Sequence, residues 1–216
     1  MNTMQYKDVN QIANELGTLA QYKERPIVTV MGLSGAGKSY TSKQLEQVLN
    51  HACVVSFDWW IREPSSVRRA LIASAYEENG TMPDPLSWYD WEAFETSLHV
   101  LQTTGSLTLV GMWNQQTGEK DLDLNLHVPN DGIVIVEGMY LMEYGVRQFV
   151  DYSIVIDTNP TAAIMASTSR RSQQSSSTYQ TVKARWIREY DVPYIARYIQ
   201  TADAVINNID HPHSQH

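Results

Sequence analysis

An apolar run, Pro26-Ile27-Val28-Thr29-Val30-Met31, leads directly into Gly32-Leu33-Ser34-Gly35-Ala36-Gly37-Lys38-Ser39, and a helical pattern follows at once. The octapeptide fits G-x-x-x-x-G-K-[ST], the P-loop or Walker A pattern. Its glycines permit a tight loop whose backbone N–H groups converge on an anion. Lys38 can reach the β- and γ-phosphates of a nucleoside triphosphate, and the Ser39 hydroxyl can bind Mg²⁺. From Ser39 to Asn50, Leu45, Val48 and Leu49 recur at helical spacing, so the loop opens onto a helix N-terminus, where phosphate binds. Strand, loop and helix in this order predict an α/β fold with ATP and Mg²⁺ held by Gly32, Leu33, Ser34, Gly35, Ala36, Gly37, Lys38, Ser39 and Tyr40.

The rest of the chain agrees with that start. Val9, Ile12, Leu16 and Leu19 share one face of a first helix, which Arg25-Pro26 closes. Ala52 to Ser56 reads as a second strand. A helix after Pro64 carries Val67, Ala70, Leu71 and Tyr76 and stops at Asn79-Gly80, before a loop from Thr81 to Pro85. Another, from about Trp88 to Gln102, presents Trp91, Phe94, Leu98 and Leu101. Leu107 to Met112, with Leu122, Leu124 and Leu126 alternating after a turn, predicts a hairpin insertion at about 105–130. Ile133 to Glu137 and Tyr152 to Asp157 are continuous apolar runs of the kind covered on both faces of a parallel sheet. Helices follow at about 160–171 and 179–198, then a short strand at Ala204 to Asn207. The expectation is a P-loop NTPase with a doubly wound, mostly parallel five-stranded sheet. One domain spans 1–216, with a helix at 1–25, a core at 26–208 and a disordered tail at 209–216.

Composition narrows the partners. Apolar residues at 43% and charged residues at 19% are those of a globular chain. The net charge of −8 argues against an extended nucleic-acid or anionic-membrane surface. Cys53 is the single cysteine, so no internal disulfide forms and a reducing compartment suits the chain. Met1 to Asp8 lacks the apolar stretch of a signal peptide, and no run approaches a membrane span. These features fit a cytoplasmic protein with a small-molecule partner and no membrane; a homodimer is an open option.

Phosphoryl transfer also needs a group to orient the acceptor hydroxyl, a further Mg²⁺ contact and mobile cations. Asp58, Glu137 and Asp157 each end an apolar strand, where such enzymes carry their chemistry. Asp58 suits a general base or a metal contact, and equally a helix cap. Glu137 suits Mg²⁺ and substrate. Asp157, ahead of Thr158-Asn159-Pro160, reads as a cap. Arg170 and Arg171 suit either a lid over the phosphates or a solvated helix end. Trp59, Trp60, Arg62, Trp88, Tyr89 and Trp113, together with Glu137, are candidates to line the acceptor pocket, against the default of core for an aromatic and surface for an arginine. His51, His99 and His127 have no metal-ligand spacing; His211, His213 and His216 form a weak terminal cluster.

Four segments resemble the uridine kinase and phosphoribulokinase family: the P-loop; Ser56-Phe57-Asp58-Trp59-Trp60; Val134-Ile135-Val136-Glu137-Gly138; and the closing stretches Pro193 to Ile199 and Ala202 to Ile206. Asp84 to Asp90 carries a weaker likeness. The resemblance implies that Asp58 acts as base toward the acceptor hydroxyl and that Glu137 serves metal and substrate. Two segments depart from the family's pattern. Arg170-Arg171 runs into Ser172-Gln173-Gln174-Ser175, and Trp113 to His127 lacks the tyrosine- and histidine-bearing substrate loop. The expected activity is ATP-dependent phosphorylation of a hydroxyl on a nucleoside or sugar-like compound. A nucleotide-gated regulator and a nucleic-acid end kinase are the alternatives. No Asn-Lys-x-Asp guanine-reading segment is present, which argues against a GTPase.

Overall fold

The computed structural model describes residues 6–79, 83–143, 145–169 and 177–208. Helix α1 (Val9–Tyr22) starts from a reciprocal capping box: Asp8 accepts from the Gln11 amide, and the Gln11 side chain accepts from the Asp8 N–H. It buries Ile12 and Leu16 as the spacing predicts. Strand β1 (Ile27–Gly32) is buried along its whole length. Helix α2 (Lys38–Val48) buries Leu45 but leaves Val48 52% exposed, contrary to expectation. The helix ends there, and extended Leu49 packs on the core instead.

After β2 (Ala52–Ser56) comes a 3₁₀ turn, Phe57–Trp60, and then helix α3 (Ser65–Asn79). Here the expected apolar face is wrong. Val67 and Leu71 stand 40% and 49% exposed, and Ile72 is the buried residue; the Tyr76 side chain lies outside the described residues. Gly80, Thr81 and Met82 of the expected stop and loop also lie outside them, and Pro85 opens a second 3₁₀ turn, Pro85–Trp88. Helix α4 (Trp91–Thr104) buries Trp91, Phe94, Leu98 and Leu101, the four residues the periodicity picks out.

The insertion is an antiparallel hairpin, β3 (Ser106–Met112) with β4 (Leu122–His127), forming its own two-stranded sheet. Its root is fastened by Arg25, which is only 8% exposed. The Arg25 guanidinium donates to the carbonyls of Val128 (2.9 Å) and Gln102 (3.2 Å) and to the Asn130 side chain.

The remaining elements are β5 (Ile133–Gly138), β6 (Val150–Asp157), α5 (Pro160–Ser169), α6 (Ser177–Trp186), a π turn at Ile187–Asp191, α7 (Val192–Tyr198) and β7 (Ala204–Asn207). The main sheet runs β2-β5-β1-β6-β7, and every neighbouring pair is parallel. It is thus wholly parallel. The chain leaves β1 toward β2 on one side and crosses from β5 to β6 and β7 on the other. That reversal puts the switch point at the carboxyl end of β1, where ligands bind in open parallel sheets. Register does the rest: Glu137 lies beside Ser56 on one flank and Val30 on the other. Among the described residues no helix is long and apolar enough to cross a membrane.

Candidate active site

The loop leaving β1 takes its shape from two glycines. Gly35 and Gly37 have φ of 94° and 96°, a left-handed region that side chains resist. At Gly35 a Cβ would also meet the Ala163 carbonyl at 2.5 Å. Gly37 sits at the N-cap of α2, which has no side-chain cap, so no side chain at that position competes for the first-turn N–H groups. Lys38 curls over the loop, its Nζ donating to the carbonyls of Gly32 (3.0 Å) and Leu33 (3.2 Å). Asn208, past the end of β7, donates to the Ala36 carbonyl at 2.9 Å and braces the loop from outside. The sequence carries no signal for that brace.

Glu137 bridges two hydroxyls. Ser39 Oγ donates to its Oε2 at 3.1 Å and Ser56 Oγ to its Oε1 at 2.9 Å. Asp58 lies in the 3₁₀ turn after β2, and its Oδ1 accepts from the Tyr89 hydroxyl at 3.3 Å. Tyr89 is stacked on Phe57, with ring centres 4.1 Å apart. Burial, reinforced by Asp58, pushes the Tyr89 hydroxyl pKa well up and keeps it a donor.

Lys38, Asp58, Tyr89 and Glu137 open onto one cavity of about 790 Å³. Of the residues singled out in the sequence, Ser34, Gly35, Lys38, Asp58, Trp88, Tyr89, Trp113 and Glu137 line it. Trp59, Trp60 and Arg62 do not. A 3₁₀ turn has three residues per turn, so Asp58 and Ile61 share the cavity side. Phe57 and Trp60 share the opposite face, where both are buried and Trp60 packs on Phe94. Trp59 is half-buried against the core. Arg62 is at the surface, 3.8 Å from Asp90. Tyr40 is 66% exposed and accepts from Gln44. Asp157 is no cap: Asn159 accepts from the Thr161 amide to start α5, while Asp157 accepts from Tyr6. Arg170, Arg171 and the three C-terminal histidines lie outside the described residues.

Arg68 and Arg69 of α3, for which the sequence offers a surface face as the default, also line it. Lining residues that went unnoticed in the sequence include the hairpin tip from Gln115 to Glu119 and the pair Tyr140 and Asp191. Tyr140 donates its hydroxyl to Asp191, which is 6% exposed. Burial raises the Asp191 pKa to about 6, against the opposing pull of the Tyr140 hydrogen bond and of Lys38 and Lys183. The chain there is already helical (φ −69°, ψ −44°) and the side chain caps nothing.

Among the described residues no group of three His, Cys, Asp or Glu side chains is placed to hold a metal. The oxygens around Glu137 are nonetheless hard donors of the kind Mg²⁺ takes, since that ion is usually held by one or two carboxylates plus substrate phosphates.

No curated protein sequence matches the chain. Among solved structures it is similar to phosphoribulokinase from Rhodobacter spheroides, with 14% identity and a TM-score of 0.63 over 85% of this chain and 70% of that one. It is similar to D-glycerate 3-kinase from Cryptococcus neoformans, with 12% identity and a TM-score of 0.54 over 92% and 95%. A possible uridine kinase from Bacillus stearothermophilus gives 17% identity and a TM-score of 0.53 over 91% and 99%. At these identities the likeness is one of fold. The model of the phosphoribulokinase/uridine kinase family, in contrast, matches residues 27–213. The chain therefore belongs to the phosphoribulokinase/uridine kinase family of P-loop kinases.

Proposed function

We propose that the protein is an ATP-dependent kinase that transfers the γ-phosphoryl group to a hydroxyl of a small molecule, a nucleoside or sugar-like compound. The observation that carries this reading is the meeting of Lys38, Asp58 and Glu137 on one cavity. A phosphate loop alone would suit many proteins; a carboxylate facing the same space is what a hydroxyl acceptor needs.

In this reading the amides of the P-loop bind the phosphates, and Lys38 exchanges the Gly32 and Leu33 carbonyls for phosphate oxygens. Ser39 and Glu137 are the residues that would hold Mg²⁺, which when bound neutralises charge on the phosphates. Ser56, through its bond to Glu137, fixes that carboxylate's orientation. Asp58 takes the proton of the acceptor hydroxyl as the new O–P bond forms and the bond to the ADP oxygen breaks. Tyr89 engages Oδ1, and Oδ2 has no partner among the described residues, so it is the oxygen offered to the acceptor. Arg170 and Arg171 are assigned by sequence position to the charge of the transferring group.

The test is ADP release from ATP and Mg²⁺ across nucleosides and sugars, with Asp58→Asn beside the wild type. Acceptor-dependent release that the variant loses, with ATP binding retained, supports the reading. ATP binding without release for any acceptor would mark a nucleotide-gated regulator instead.

A further inference from the structure

Helix α3 is turned the wrong way for a surface helix. Val67 and Leu71 stand in water, whereas Ser65, Arg68, Arg69 and Ile72 line the cavity. Those positions are i, i+3, i+4 and i+7, one continuous stripe. The half-buried Arg68 faces the cavity and the exposed Arg69 stands at its rim, while Val67 and Leu71 of the same helix face solvent, which runs against ordinary burial preferences. It makes sense when the cavity's occupant is an anion.

The stripe is built rather than loose. The Arg68 guanidinium carbon lies 4.9 Å from the centre of the Trp113 ring, and its Nη2 donates to Ser65 Oγ at 3.3 Å. The Ser65 amide donates to the Gly118 carbonyl at 2.7 Å, which ties α3 to the hairpin tip. Gly118, at φ 77°, approaches so closely that a Cβ there would sit 2.9 Å from Ser65 Oγ. Trp113 and Trp88, 2% and 9% exposed, both line this cavity, and their indole N–H groups find no acceptor among the described residues. An indole nitrogen only donates, so it too favours an oxygen-rich partner. Among the described residues no carboxylate pairs with Arg69. Glu119 is the carboxylate of the hairpin tip; Asp58, Glu137 and Asp191 belong to the strand ends and the π turn.

We propose that the Arg68–Arg69 stripe recognises an anionic group, a carboxylate or a phosphate ester, on the molecule whose hydroxyl is phosphorylated. The inference rests on the kinase reading of this cavity and names the acceptor class that reading leaves open. Planar guanidinium groups suit such oxygens because they offer paired N–H donors in a fixed fork. Tyr89, bonded to Asp58, lines the same cavity as Arg68, so the anion site and the base face one space.

The experiment uses the full chain, Mg²⁺ and a non-hydrolysable ATP analogue, and reads the melting temperature, which a ligand of the folded state raises. Matched sets are then added: glycerol, glycerate and glycerol 3-phosphate; ribitol, ribonate and ribitol 5-phosphate; nucleosides and their 5′-monophosphates. Charged members should raise the temperature beyond the analogue alone and neutral ones should not; the acid and ester arms tell which anion is read. With ATP, Arg69→Gln, a rim substitution that leaves packing intact, and Arg68→Gln should raise KM for the charged acceptor about tenfold or more, the loss of one charge-assisted hydrogen bond. KM for ATP should stay as it is. Equal responses to neutral and charged members, no response to any charged member, or an unmoved acceptor KM in both variants would overturn the anion site. Failure of the ATP analogue itself to raise the melting temperature would count against the kinase reading instead.

Discussion

The Tyr89 hydroxyl stands 3.3 Å from Oδ1 of Asp58, across 31 positions of sequence. Asp58 sits in a short turn at the end of β2, and such a turn alone leaves a carboxylate free to rotate. Tyr89, clamped flat against Phe57, limits that rotation. The contact makes Tyr89 a positioning residue for the proposed base.

Tyr89→Phe should keep the stack on Phe57 and remove only the hydroxyl. We expect kcat to fall about tenfold or more, the range for one hydrogen bond to a charged group. KM for ATP should not move, because the P-loop is untouched. Steady-state kinetics at saturating acceptor checks this, and an unchanged kcat would show that Asp58 is held by other means.

Ser56→Ala tests the other carboxylate. Glu137 loses the hydroxyl on Oε1 and keeps Ser39 on Oε2. Partners that orient a metal-binding carboxylate are typically worth about 10–100-fold in affinity or activity. The Mg²⁺ concentration for half-maximal turnover should rise by about tenfold, with kcat at saturating Mg²⁺ recovering most of its value. A titration of turnover against Mg²⁺ decides it; an unshifted midpoint would mean that Glu137 does not serve the metal.

What the sequence made legible follows from periodicity and backbone. Ile133 to Val136 is apolar without interruption because both faces are covered, and the P-loop glycines announce their conformation directly. The parallel sheet, the hairpin and the α4 core face were readable for the same reason. Tertiary packing overrode pattern elsewhere. The α3 periodicity points Val67 and Leu71 inward, but the helix turns Arg68 and Arg69 to the cavity. Trp59 and Trp60 adjoin Asp58 in sequence, yet three residues per turn send Trp60 to the core. Asn208 and Asp191 meet the site through β7 and a π turn, contacts that depend on tertiary packing and leave no local trace.

Arg25 closes the gap between α4, the hairpin and β5, and its φ of 45° shows that the backbone bends to place it. Arg25→Leu would leave the carbonyls of Val128 and Gln102 without this donor in a largely closed environment. Each buried unsatisfied group costs about 1–3 kcal/mol. We expect a loss of about 3 kcal/mol in urea unfolding. A loss well under that would mean that water or a shifted side chain takes over.

Asp191→Asn should change how stability depends on pH. Burial lifts the Asp191 pKa from 3.8 to about 6 despite the Tyr140 hydrogen bond and the charges of Lys38 and Lys183. The folded state therefore holds this proton more tightly than the unfolded chain does, so ionisation opposes folding. The favourable contribution is complete below pH 3.8 and is lost as pH rises through about 6. Two pKa units correspond to about 3 kcal/mol. Asparagine keeps an oxygen for the Tyr140 hydroxyl and cannot ionise. Wild type and variant should thus have similar stability near pH 4, and from there to pH 7.5 the variant should gain on the wild type by about 2–3 kcal/mol. Urea unfolding at intervals across that range checks it, and parallel pH profiles for the two proteins would show that Asp191 titrates normally.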